Sequence, residues 1–211
     1  MEIYIIFGIL AMTYVMIVTR RTLGLISGFE LQSFFLFLLT LAEAFSTGNI
    51  ELFIVAGLLL IIKMIGIPYF LVRMTKEIKA NENLGLIVNS QLSLLSGVFL
   101  TYLSWLFYSY IIQGHNLTEG IALTASLSII LMGLFLMIFR MKALAQIIGL
   151  LSMENGIFLL ASSLSGGMPF IVEISIFFDV LVSVMILGMF VYRINKLFTH
   201  VDVSRMTHLR G

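Results

Sequence analysis

The sequence predicts an all-α fold, a polytopic membrane helix bundle of about seven transmembrane helices, from three observations. Hydrophobic residues make up 60% of the 211 positions and charged residues only 11%, with a mean hydropathy of +1.12. A soluble chain carries about a quarter of its residues as charges, so this surface must face lipid. The apolar residues fall in continuous runs of helix-spanning length, such as LFIVAGLLLIIKMIGIPYFLV and IALTASLSIILMGLFLMIF; a barrel strand would alternate apolar and polar residues over about ten positions. The third observation is where the basic residues stand. The composition excludes a soluble enzyme, a nucleic-acid binder and a disordered tail. With no cysteine there is no disulfide framework, thiolate nucleophile or Cys-held zinc or iron–sulfur cluster.

Cutting the chain where charges and turn residues cluster gives spans at 3–19, 24–46, 51–73, 87–112, 119–139, 143–165 and 169–192. The first resembles a signal peptide in length, but it lacks a basic start and a small-residue cleavage site, and Arg20 and Arg21 follow it. The second and third are separated by STGNIE, and the fourth begins after a connector holding Lys76 and Lys79. The fifth follows QGHNLTE, the sixth follows Arg140 and Lys142, and the seventh follows SLSGGMP. Arg20, Arg21, Arg73, Lys76, Lys79, Arg140, Lys142, Arg193, Lys196, Arg205 and Arg210 then share one side, and the opposite connectors contain no Lys or Arg. The positive-inside rule places the N-terminus outside and the C-terminus in the cytoplasm. Two parts are expected: a four-helix part, 1–112, and a three-helix part, 113–211.

Of the twelve Lys and Arg residues, eleven mark the cytoplasmic side, Arg73 at the end of its span included, and Lys63 alone is stranded inside a span. At 1.5 Å per residue it lies about 15 Å from Arg73 and about 18 Å from Glu51, near the middle of a roughly 30 Å hydrocarbon core. The same count puts Glu154 about 18 Å from Lys142 and Asp179 about 15 Å from Pro169. Three ionisable groups on three spans therefore share one depth. Glu30 sits about 10 Å from the cytoplasmic end of its span, and Glu43 and Glu173 lie about one turn from the outer face. A charged group at a helix centre costs on the order of 3 kcal/mol to insert. Such groups serve either as static pairs that lock helices together or as a proton path; Lys63, Glu154, Asp179 and Glu30 are the candidate relay, with Glu173 and Glu43 secondary.

Other features point to packing as readily as to function. Pro68 leaves the Met64 carbonyl without its helical donor, which predicts a kink. Ser175, Asp179 and Ser183 form one polar stripe, and Asn89, Ser93 and Ser96 another. Trp105, Tyr108 and Tyr110 fit an interfacial belt. His115, His200 and His208 fall in connectors or the tail, so no metal site is expected, and no glycine-rich nucleotide motif occurs.

The stretches RMKALAQIIGLLSMENGIFLL (140–160), VEISIFFDVLVSVMI (172–186) and FTHVDVSRMTHLRG (198–211) resemble hydrogenase-4 component E, a membrane subunit of complex I-like [NiFe]-hydrogenase assemblies. The likeness extends more weakly through Phe29, Gln32 and Ser33 and through Lys63 to Pro68. The last three spans are similar to the small K-type subunit of respiratory complex I, which carries a buried glutamate where this chain has Leu151; Glu154 stands one turn further on, on nearly the same face. The resemblance implies a non-catalytic subunit of a prokaryotic cell-membrane complex that couples redox chemistry to proton or Na⁺ movement. Its implied partners are antiporter-like membrane subunits, a membrane anchor subunit and a peripheral hydrogenase arm. The arm would hold the nickel–iron site and the iron–sulfur clusters, leaving no cofactor in this chain. The alternatives are a structural adaptor in the same membrane arm and a subunit of a multisubunit cation/proton antiporter.

Overall fold

A computed structural model describes residues 2–77, 89–111 and 117–165. In order they form α1 (Glu2–Val18), α2 (Thr22–Thr47), α3 (Ile50–Leu58), a π-helical stretch (Leu59–Gly66), α4 (Ile67–Glu77), α5 (Ser90–Ile111), α6 (Leu117–Phe139) and α7 (Ala143–Ser165), with no strand among the described residues. Among the described residues, five helices are long and apolar enough to cross a membrane: Thr22–Thr47, Ile50–Arg73, Ser90–Tyr110, Thr118–Phe139 and Leu144–Leu164. The apolar Glu2–Val18 is shorter, at 17 residues. Six of the expected segments are thus helical, and 169–192 lies outside the described residues.

The turns follow local chemistry. Helix α2 ends at Gly48, which adopts a left-handed φ of 68° that favours glycine and returns its N–H to the Ala44 carbonyl. Asn49 then caps α3, its side-chain oxygen accepting the Glu51 N–H at 3.1 Å. The segment 51–73 departs from a plain α-helix in its middle. There the Ile67 N–H bonds to the Ile62 carbonyl, five residues back. Pro68 has no N–H to give to Met64, the α-helical acceptor, or to Lys63, the π-helical one. The expected kink therefore takes the form of a widened π-helical stretch with Lys63 inside it.

The buried positions are mostly apolar, with polar side chains and close glycine contacts among them. Lipid tails are as apolar as leucine, so helices in a membrane associate through small residues and interhelical hydrogen bonds. Helices α6 and α7 pack most extensively, across glycine. A Cβ at Gly133 would lie 2.8 Å from the Gly149 carbonyl oxygen and 2.8 Å from the Met153 nitrogen, and one at Gly149 would lie 2.9 Å from the Gly133 carbonyl oxygen. Only glycine permits that approach from both sides. Helix α1 inserts a stripe of Ile6, Ile9, Thr13, Met16 and Ile17 against α2 and α6. Helix α5 lies at the edge of the described bundle. It reaches α1 through a 2.6 Å bond between the Tyr14 and Thr101 hydroxyls, while Leu95, Phe99, Tyr102 and Trp105 stay exposed. Such apolar exposure suits contact with hydrocarbon or another subunit.

Candidate functional site

The centre of the bundle holds a connected set of buried polar side chains from four elements. The π-helical stretch brings Lys63, 1% exposed, against α7. Its Nζ donates to Asn155 Oδ1 at 3.0 Å and lies 3.9 Å from Glu154 Oε2. The Asn155 Nδ2 donates to Gln32 Oε1 at 3.2 Å and Ser33 Oγ at 3.3 Å on α2. The Gln32 Nε2 donates to Thr13 Oγ1 at 2.9 Å on α1 and to Ser152 Oγ at 3.1 Å on α7. The Thr13 hydroxyl donates to the Ile9 carbonyl at 3.0 Å, which ends the chain.

Glu154 is 6% exposed, and neither of its oxygens accepts a hydrogen bond from a described residue. Carboxylate and ammonium thus attract each other across a low-dielectric interior without the hydrogen bond that would seal them as an ion pair. Leaving a buried acceptor unbonded costs about 1–3 kcal/mol, more for a charged one. Chemically, this arrangement sets a carboxylate that takes no hydrogen bond from a described residue 3.9 Å from a buried cation.

The depth count from sequence puts Lys63 and Glu154 at one depth, and in the structure they stand 3.9 Å apart. Glu30 stands apart. It is half-buried and two positions from Gln32, which directs it to another side of α2. Glu43 lies at the far end of α2, where Ser162 donates to its Oε2 at 2.9 Å. That end contains a cavity of about 190 Å³ bordered by Glu2, Glu43, Glu119, Ser162 and Ser163. Asp179 and Glu173 lie outside the described residues.

Sequence reasoning passed over Asn155, Gln32, Ser152 and Thr13 as parts of the site. Uncharged polar residues are common in membrane helices, and no periodicity marks these four. The only sequence signal touching them is the family resemblance, whose motif letters include Gln32, Ser33 and Asn155.

A second buried cation was also hidden. Arg140, placed by the sequence in a basic connector, is 2% exposed. Its Nη2 donates to the carbonyls of Met16 at 3.2 Å and Ile17 at 2.7 Å, two of the last acceptors of α1, while Nη1 is buried without a partner among the described residues. Burial lowers its pKa from the usual 12.5 to about 10, so it remains charged at neutral pH.

No family model and no solved structure matches the chain. The chain is similar to the uncharacterized protein Rv0085 of Mycobacterium tuberculosis, 29% identical over 208 residues, a match covering 96% of this chain and 93% of that protein.

Proposed function

We propose that this chain is a non-catalytic, multi-pass subunit of a complex I-like energy-converting hydrogenase in a prokaryotic cell membrane, and that Lys63 and Glu154 handle protons near the middle of the bilayer. The observation that carries the reading is the buried ammonium 3.9 Å from a carboxylate whose oxygens take no hydrogen bond from the described residues. In that setting Glu154 takes up a proton from one side and gives it up to the other, and the Lys63 charge stabilises the ionised form between the two events. Asp179 joins the relay by its depth in the sequence, with Glu30 nearer the cytoplasmic end and Glu43 and Glu173 nearer the outer face. The partners would be antiporter-like and anchor subunits in the membrane and a peripheral arm that carries the metal centres. The family resemblance of 140–160 and 172–186 supports that assembly.

The test is Glu154→Gln in sealed inverted vesicles containing the complex. Hydrogenase activity with a soluble electron donor should persist while proton uptake linked to it is lost. Full proton uptake by the variant sinks the relay.

One observation favours a second reading. The neutral hydrogen-bonded chain from Asn155 through Gln32 to Thr13 and Ser152 ties α1, α2 and α7 together, which is what a structural adaptor needs. As an adaptor, the chain would keep full coupling when Lys63 and Glu154 are neutralised together; as a relay, it would lose it.

A further inference from the structure

Helices α1, α5 and α6 leave a cleft of about 360 Å³ between them. Its apolar walls are Phe7 and Leu10 of α1, Trp105 of α5, and Ile121 and Ala125 of α6, and no charged side chain lines it. A volume of about 300–1,000 Å³ with mostly apolar walls and few polar groups is typical of a small-ligand site. Along α6 the cleft runs from Gly120 to Ser128, about 12 Å, and along α5 from Tyr108 back to Thr101, about 10 Å. Its long axis therefore follows the helices. One end lies three residues inside each helix terminus, since α5 stops at Ile111 and α6 starts at Leu117. The other end reaches the middle of the 23-residue α6.

The polar groups are sorted along that axis. At the deep end Thr101 accepts from the Tyr14 hydroxyl at 2.6 Å and donates to the Gly97 carbonyl at 3.0 Å, and Ser128 donates to the Thr124 carbonyl at 2.7 Å. Those hydroxyls are satisfied within the bundle, so they turn carbon toward the cleft. At the shallow end the half-buried Tyr108 lies across Gly120, where a Cβ would collide with its hydroxyl. That hydroxyl makes no hydrogen bond to a described residue.

We propose that the cleft binds one acyl chain of a membrane glycerolipid, its hydrocarbon lying along α5 and α6 toward the middle of the bundle and its ester carbonyl accepting a hydrogen bond from Tyr108. Shape and polarity both fit. An uncharged interior suits hydrocarbon and leaves the headgroup outside. The Tyr108 hydroxyl stands about 4–5 Å in from the helix ends, near the edge of a roughly 30 Å hydrocarbon core, where acyl chain gives way to ester. Trp105, exposed at the rim, is an amphipathic ring of the kind that collects at that level. The proposal depends on the bundle lying in a membrane and not on proton handling at Lys63 and Glu154.

The test titrates the full-length chain, in maltoside detergent micelles, with a phosphatidylethanolamine carrying a diazirine in mid-chain, and maps the adducts by mass spectrometry after illumination. Adducts on 101–108 and 120–128 should saturate at one lipid per chain. Adducts on Leu95 and Phe99, which lie exposed on α5 outside the cleft, should rise in proportion to the lipid added. Thr124→Phe, which fills the cleft, should lower the cleft adducts by at least about tenfold while those on Leu95 and Phe99 stay as they are. Tyr108→Phe keeps the ring and loses the hydroxyl, and should weaken binding about three- to tenfold, the worth of one neutral hydrogen bond. Cleft labelling that rises in proportion to lipid, or that Thr124→Phe leaves unmoved, means an ordinary lipid boundary and overturns the proposal. So does a cleft without lipid adducts while Leu95 and Phe99 are labelled, the result if a polypeptide segment fills it. Should Thr124→Phe fail to fold, Tyr108→Phe decides, and unchanged binding overturns the proposal. Loss of lipid adducts from Leu95 and Phe99 as well would defeat the membrane placement itself, and the proposal with it.

Discussion

Lys63 and Arg140 are both almost wholly excluded from the surface, yet the protein holds them in different ways. Lys63 stands in mid-span on a π-helical stretch, with an amide and a carboxylate on a facing helix. Arg140 stands in a connector and spreads its guanidinium over two carbonyls at the end of α1, with no carboxylate partner among the described residues. The difference lies in what could change. Carbonyl acceptors do not titrate and Arg140 stays charged at neutral pH, so there the Arg140 contact has one state and serves as a helix cap. A carboxylate does titrate, so the Lys63 site has two. Burial of a cation does not by itself separate the two sites; the titratable neighbour does.

Three substitutions bear on that contrast, taken from the largest expected effect downward. Lys63→Met leaves Glu154 buried without its counter-charge and should destabilise the protein by about 3–5 kcal/mol, measured by unfolding in mixed micelles. The double variant Lys63→Met/Glu154→Met should recover most of that loss. A single variant as stable as the wild type would remove the distinction between the two cations. Arg140→Met should cost about 1.5–3 kcal/mol through lost hydrogen bonds to a charged donor, with Arg140→Lys recovering part. Its pH dependence has a defined sign. With a folded pKa of about 10 against 12.5 when unfolded, the unfolded chain binds more protons in between. Stability therefore rises with pH across that window, and the rise should vanish in Arg140→Met. Ser162→Ala, which removes a hydrogen bond from the half-buried Glu43, should cost about 1 kcal/mol or less. A loss as large as that of Lys63→Met would place a second charged centre at the Glu43 end of the bundle.

The helices were legible in the sequence because apolar run length is a one-dimensional signal. Residues 143–165 coincide with α7, and 24–46 falls within two residues of α2. The shared depth of Lys63 and Glu154 was legible for a similar reason, since depth in a bilayer follows from counting residues, but that the two side chains face one another was not. Nor was the network around them. Gln32 and Asn155 are single amides on apolar helices, and which face of α2 meets which face of α7 is decided by packing. The π-helical stretch was half legible: Pro68 announces a missing donor, but its resolution by widening the turn at Lys63 depends on neighbouring helices. Arg140 stands in the connector where the sequence puts it, but its burial was not legible, because nothing in its neighbourhood announces contact with the end of α1.

The glycine contact between α6 and α7 makes those two helices a ruler. Gly133 touches the main chain at Gly149 and Met153, and Glu154 is the next residue. With backbone against backbone there is no side chain to flex, so the register of α7 along α6 fixes both the height and the bearing of the carboxylate. One residue inserted between Gly149 and Glu154 would turn it by about 100° and raise it by about 1.5 Å, which is enough to take it out of line with Lys63. Chain length between these two positions therefore decides where the carboxylate stands.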